Sequence, residues 1–259
     1  MADIHPSAVV APGAQIADDA SIGAFTVIGA KVTIGSGCVI GPHAVIEGRT
    51  TIGSRNHIGP FVSIGHPPQD FSYAGEDTEV VIGDDNTFRE HVTIHRGTAR
   101  GRGRTTIGSH CYLMVAVHVA HDCVVGNHVV MANGATLGGH VQVDDHANLG
   151  GHVAIHQYVK IGTHAFLGGM SGLRMDMPPY MLGFGALAKL YGPNSVGLKR
   201  FGLSTETILA LKRAYKIIFR SNLRLRDALE RVQREVEPCP EVETLVQFMI
   251  DHSKRGVTK

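Results

Sequence analysis

Counting in steps of six from Ile4 gives Val10, Ile16, Ile22, Ile28, Ile34, Ile40, Ile46, Ile52, Ile58 and Ile64, an apolar column with no polar member. The column resumes at Ile82, Phe88 and Ile94, breaks again, and restarts at Ile107. From there it runs through Leu113, Val119, Val125, Met131, Leu137, Val143, Leu149, Ile155 and Ile161 to Leu167. An α-helical face needs apolar residues three and four apart, so this period excludes one. Hexapeptide repeats signal a parallel β-helix. Each hexad then supplies a short strand and a corner, three hexads close a triangular coil, and the lead side chains stack inside. About eight coils at the roughly 4.8 Å strand spacing make a prism on the order of 40 Å long.

The rest of the hexad follows the same logic. The residue after the lead is often Gly, which suits corners because it tolerates positive φ. The residue four after it is small or β-branched, as at Ala8, Ala14, Ala20, Val32, Ala44, Val92, Val141 and Ala165. Cys38, Cys111 and Cys123 fill that slot and read as small buried hydrophobes without a redox role. Four cysteines without metal-type spacing predict neither disulfides nor a zinc ribbon. The pattern stops after Leu167. Pro178, Pro179 and Pro193 interrupt the next stretch, and Ser204 reads as the N-cap of a helix from Thr205 whose apolar face is Leu211, Tyr215 and Ile218. Two shorter helices are predicted near 224–236 and 240–252, giving a β-helical domain over 1–190 and a helical cap over 191–259.

A formal net charge of +1 argues against a nucleic-acid binder. The amino-terminal MADIHPSAVV has no basic and apolar signal pattern, and the apolar run Tyr112–Met131 carries His118, His121, Asp122, Asn127 and His128, too polar for a membrane span. The expected location is cytoplasmic.

Insertions into a solenoid mark functional loops, here 67–81 and 98–106. Allowing for them, hexads 94, 119, 137 and 155 share one side of the prism. Histidines gather there: His95, His121, His140 and His156 in successive coils, with His118 just before hexad 119. His110, His128, His146, His152 and His164 read instead as surface or corner residues. A row of imidazoles suits two chemistries, a metal site or general-base catalysis. Asp122 directly follows His121, and the glycine-rich GGHVQVDD lies one coil above. A backbone amide there, such as that of Gly139, would serve as an oxyanion donor.

The strings QDFSYAGE, TIHRGT, HVAHDC with VGN, GGHVQVDD, IHQY, PPY and GLKRFG occur in the order seen in UDP-N-acetylglucosamine O-acyltransferases, and the chain resembles that family over nearly its whole length. The resemblance implies an all-β left-handed parallel β-helix with a C-terminal α-helical cap, against the usual right-handed crossover. It implies transfer of a 3-hydroxyacyl chain from acyl carrier protein to the glucosamine 3-hydroxyl of UDP-N-acetylglucosamine, the first step of lipid A biosynthesis. By resemblance His121 is the general base, aided by Asp122, and Gly139 faces the oxyanion. Asp70, His95, His118, His140, His156 and Gln157 position substrate, and Asn194 and Arg200 lie near the nucleotide. Gly169 matches the position limiting acyl length and, lacking a side chain, implies a longer chain, although Met170 is its neighbour. The family needs no metal or dissociable cofactor and forms a homotrimer with sites between subunits. Ser72 and Phe201 depart from its common lysine and second arginine. Acylation of a 3-amino sugar, glucosamine N-acylation and a metal-dependent hydratase are the competing readings. Between Lys199 and Arg234 the ten basic residues outnumber three acidic ones. Such a field would steer an acidic acyl carrier, led by Lys212, Lys216 and Arg220.

Overall fold

The computed structural model describes residues 1–252 and 254–259. Each hexad forms a strand of two to four residues, and successive strands pass in turn to three parallel sheets. The first face starts with Asp3–Ile4, the second with Val9–Val10 and the third with Gln15–Ile16. Lead residues meet lead residues from coil to coil: Ile22 pairs with Ile40, Ile40 with Ile58, Ile58 with Phe88 and Phe88 with Leu113. Both insertions leave this register intact, since Ile52, Ile82 and Ile107 still pair in line. Burying each such side chain contributes about 1.5–3 kcal/mol. From Ile22 onward the column is almost fully buried, whereas Ile4 is 39% exposed because no coil lies beneath it.

Glycine's role differs from the sequence expectation. Gly23 and Gly35 follow lead residues but do not have positive φ; a Cβ at Gly35 would lie 2.5 Å from the Gly53 carbonyl of the next coil. Close approach between coils selects them. The left-handed backbone instead falls three residues after the lead, where Phe25, His43, Phe61, His91, His110, Asp122, His128, His140, His146, Tyr158 and His164 have φ of 54–67°. Each costs roughly 1–2 kcal/mol in isolation. Stacking offsets part of this. Phe25, His43, Phe61 and His91 form one ladder of rings 5.0–5.2 Å apart at the corner between the first and second faces. His110, His128, His146 and His164 form another, at 4.6–4.7 Å, between the third and first faces.

The hexads also run further than Leu167. Gly172–Leu173 adds a rung in register with Ala154–Ile155, and Met181–Phe184 continues the first face before Lys189–Pro193 turns back antiparallel to it. Among the described residues four helices follow, ahead of a short tail. The first, α1 (Ser195–Phe201), is capped by Asn194 and was not anticipated from the proline-broken sequence. Then come α2 (Thr205–Arg220), capped as expected by Ser204, α3 (Leu225–Glu235) and α4 (Pro240–Ile250). No described helix is long and apolar enough to cross a membrane.

Candidate active site

Both insertions leave from the same corner. One links Ser63–His66 of the second face to Glu79–Ile82 of the third, and the other links Thr93–His95 to Arg104–Ile107. Successive coils carry His121 and Asp122, Gly139 and His140, then His156, Gln157 and Tyr158 round this corner.

Asp122 organises the group. Its side chain is fully buried, and its carboxylate accepts from the Thr98 amide (3.1 Å), the Thr98 hydroxyl (2.7 Å), the Arg102 amide (2.8 Å) and His121 Nδ1 (2.9 Å). Burial alone would raise its pKa, but the hydrogen bonds from His121, Thr98 and Arg102 outweigh it and hold the group at about 2. An ionised carboxylate at Nδ1 makes that nitrogen the donor and leaves Nε2 as the basic one. The second insertion therefore anchors the partner of the histidine. The imidazole lies against Gly139, where an added Cβ would come within 2.6 Å of Nε2. Only glycine fits, and among the described residues nothing accepts from its amide.

Further histidines surround the pair. The His140 ring meets that of His121 edge-on at 5.1 Å and stacks on Tyr158 at 4.4 Å. Burial lowers the His140 pKa against the opposing pull of Asp122. His118 Nδ1 is 2.8 Å from the Thr93 hydroxyl, and burial lowers its pKa too. His95 packs edge-on to His118 at 5.1 Å; burial and then the charges of His118, His66 and His121 bring it down to about 4. Its buried Nδ1 has no hydrogen-bond partner. Asp70, in the first insertion, accepts from the Ser72 amide and hydroxyl, both at 2.8 Å. These bonds lower its pKa, with smaller help from His121 and Arg100. Ser72 thus fixes Asp70.

Other residues singled out in the sequence fall elsewhere. His156 and Gln157 are exposed at this corner, but no ring contact or hydrogen bond joins His156 to the cluster among the described residues. Gly169 turns between the first and second faces. Asn194 and Arg200 line a cavity of about 670 Å³ at the corner of the long histidine ladder, where Phe201 packs on His164 and His146. Lys212 and Lys216 are exposed on α2. Arg220, exposed at the end of the same stripe, donates to the Leu190 carbonyl (2.9 Å) and the Tyr215 hydroxyl (2.6 Å), fastening α2 to the hairpin. Thr98, Arg96 and Tyr158 were missed. Arg96 ties the first insertion down through the Gly65 carbonyl and the Tyr73 hydroxyl. A signal existed, since TIHRGT contains two of them.

His121, Asp122 and His140 also place three donor atoms within 4.8 Å of one another. The carboxylate is surrounded by proton donors, and a cation there would have to displace them. The donor set favours proton handling over metal binding.

A parallel β-helix built on hexads, with its polar cluster beside two corner insertions, defines the class of hexapeptide-repeat transferases. Residues 31–67 and 104–139 match the bacterial transferase hexapeptide family, and residues 176–258 match domain 2 of UDP N-acetylglucosamine O-acyltransferase. The chain is 61% identical over 200 residues to an acyl-[acyl-carrier-protein]–UDP-N-acetylglucosamine O-acyltransferase of Syntrophobacter fumaroxidans, covering 77% of each. It is similar in structure to LpxA from Acinetobacter baumannii, with TM-score 0.96, 41% identity and 99% of each chain covered. A UDP-N-acetylglucosamine acyltransferase from Campylobacter jejuni gives TM-score 0.93 at 38% identity, again over 99% of each chain. The chain belongs to the UDP-N-acetylglucosamine O-acyltransferase family, and its fold is the left-handed parallel β-helix with a helical cap.

Proposed function

We propose that this protein is an acyl-[acyl-carrier-protein]–UDP-N-acetylglucosamine O-acyltransferase of lipid A biosynthesis, acting at the corner built round His121. His121 Nε2 takes the proton of the glucosamine 3-hydroxyl as its oxygen attacks the carbonyl carbon of the carrier-bound 3-hydroxyacyl thioester. The Gly139 amide donates to the resulting oxyanion. On collapse the C–S bond breaks, the imidazolium returns its proton to the thiolate, and the ester and free carrier thiol leave. Asp122 orients the imidazole and stabilises its cation. The Asp122–His121–Gly139 arrangement carries this reading: an oriented base with its free nitrogen beside an unengaged amide. Asp70, His95, His118, His140, His156 and Gln157 position the sugar, Gly169 admits the acyl chain, and Lys212 and Lys216 meet the acidic carrier. The test is an acyl-transfer assay crossing UDP-sugars, including a 3-amino sugar, against carriers of several acyl lengths; no transfer to UDP-N-acetylglucosamine overturns the reading.

The working unit is a homotrimer in the cytoplasm. Asn194 and Arg200 lie across the third face from His121, at another corner of the same prism. A neighbour packed alongside would bring its own pair to the His121 corner. Refolding inactive His121→Ala chains together with inactive Arg200→Ala chains should regenerate activity, because some interfaces then combine an intact base with an intact nucleotide contact. Mixtures that stay inactive would place the site within one chain.

A further inference from the structure

Beside the histidine cluster, on the side toward the third face, lies a cavity of about 640 Å³; the reaction above uses Asp122 and His140 on its wall but gives its basic residues no role. Arg102, Lys160, Lys254 and Arg255 line it, with His140 and Asp122 along one wall. Its contributors come from three places: the second insertion, the third face and the tail after α4. Asp122 is its one acidic member, and that carboxylate is already held by Thr98, Arg102 and His121. Among the described residues no carboxylate forms an ion pair with Arg102, Lys160 or Lys254.

The scaffold holds three of these cations. The Arg102 backbone is pinned by its amide to Asp122, so the side chain starts from a set position. The Lys160 amide donates to Asp176 Oδ1 (2.8 Å), and its ammonium donates to the Asp251 carbonyl (3.2 Å) beyond α4. The Arg255 guanidinium donates to the Gln157 carbonyl (3.1 Å). Cations gathered in one concavity repel each other, and the repulsion is relieved when an anion enters. A guanidinium with nearby ammonium groups matches the oxygens of a phosphate.

We infer that this cavity is a subsite for a phosphate group carried by a substrate, placed next to the His121–Asp122–His140 cluster. The inference rests on the acyltransferase reading, which supplies two sources of that chemistry: the phosphodiester of the carrier's pantetheine arm and the diphosphate of the nucleotide sugar. A phosphate seated here would set how far its substrate's reactive end reaches along the second-face corner.

Calorimetric titration tests it without turnover, so the result does not depend on whether acyl transfer occurs. The probes are 4′-phosphopantetheine, pantetheine and UDP, each against the native protein, the double variant Lys160→Gln/Lys254→Gln, and Arg102→Gln, which retains the backbone amide on Asp122. If the donor supplies the phosphate, the native protein prefers 4′-phosphopantetheine over pantetheine by about tenfold or more, both variants lose that preference, and UDP binding is unchanged. If the acceptor supplies it, both variants weaken UDP by about the same factor and leave the pantetheine pair alike. Affinities unmoved in both arms, or absence of binding to the native protein by either phosphate probe, overturns the subsite.

Discussion

Two corners of the prism use the same backbone slot differently. Between the third and first faces, the position three residues past the lead holds His110, His128, His146 and His164, ring upon ring. Between the second and third faces the same slot holds Asp122, His140 and Tyr158. Both sets have the same left-handed φ, yet only the second adjoins the two insertions. Thr98 and Arg102 arrive in the second of these loops, and with them a buried carboxylate acquires enough donors to stay ionised and orient an imidazole. Histidine content therefore says little about chemistry here; the deciding feature is what the neighbouring loop delivers.

The largest contrast should come from deleting one ring at each corner. His121→Ala is expected to lower kcat by about 10³, within the usual 10²–10⁴ range for a general base, while circular dichroism stays native. His110→Ala, at the free end of the ladder, should leave kcat within about twofold. Equal losses from the two would erase the distinction. Gly139→Ala comes next. Its methyl group would collide with the His121 ring, and kcat should fall by about 10² with little change in melting temperature, a loss of the size seen when an oxyanion donor is removed. Near-native turnover by this variant would show that neither ring placement nor amide access at Gly139 matters.

A subtler effect is expected from Thr98→Val. Removing the hydroxyl leaves Asp122 one donor short, so more of its charge acts on His121. The acid limb of kcat/KM should move to higher pH, with kcat down about tenfold, and Thr98→Ser should restore both. A uniform loss at every pH would reduce Thr98 to a loop-folding role.

Acid should also lower stability at both corners, because His164 on the ladder and His95 beside the insertions are both held at about 4. Burial and then the His146 charge hold His164 at about 4, below the ordinary 6.5. The unfolded chain takes up that proton as pH falls through 6.5, and the folded chain only near 4, so stability present above 6.5 is lost progressively between them. Asp122 shifts below 3.8 to about 2, so its contribution persists above 3.8 and is lost as pH falls through about 2. The melting temperature should drop by a few degrees between pH 7 and 5, and His164→Phe should flatten that slope. Identical slopes would remove His164 as an acid-sensitive element and leave the slope to the insertion corner.

Much of the fold was legible because stacked coils repeat one environment: Ile22, Ile40 and Ile58 meet the same neighbours, so a period is visible without knowing any contact. The N-cap at Ser204 was legible for a local reason, a side chain bonding its own helix. Helix α1 was hidden because its cap, Asn194, comes after a proline-rich stretch and its anchor is Phe201 on a distant histidine ladder. At the site, the His121–Asp122 pairing could be read from adjacency. The bonds from Thr98 and Arg102 could not, since an irregular loop brings them across 24 and 20 residues. The Arg220 contacts were not legible because a helical stripe gives spacing but not what each head group meets across the chain.

The unbroken pairing of Ile52 with Ile82, and of Ile82 with Ile107, reaches beyond this one enzyme. Extra chain enters only at a vertex, and the walls on either side close as though nothing had been added. Such a scaffold separates the part that must repeat from the part that can vary: a vertex can be lengthened, emptied or rewritten while the stack continues to count in sixes.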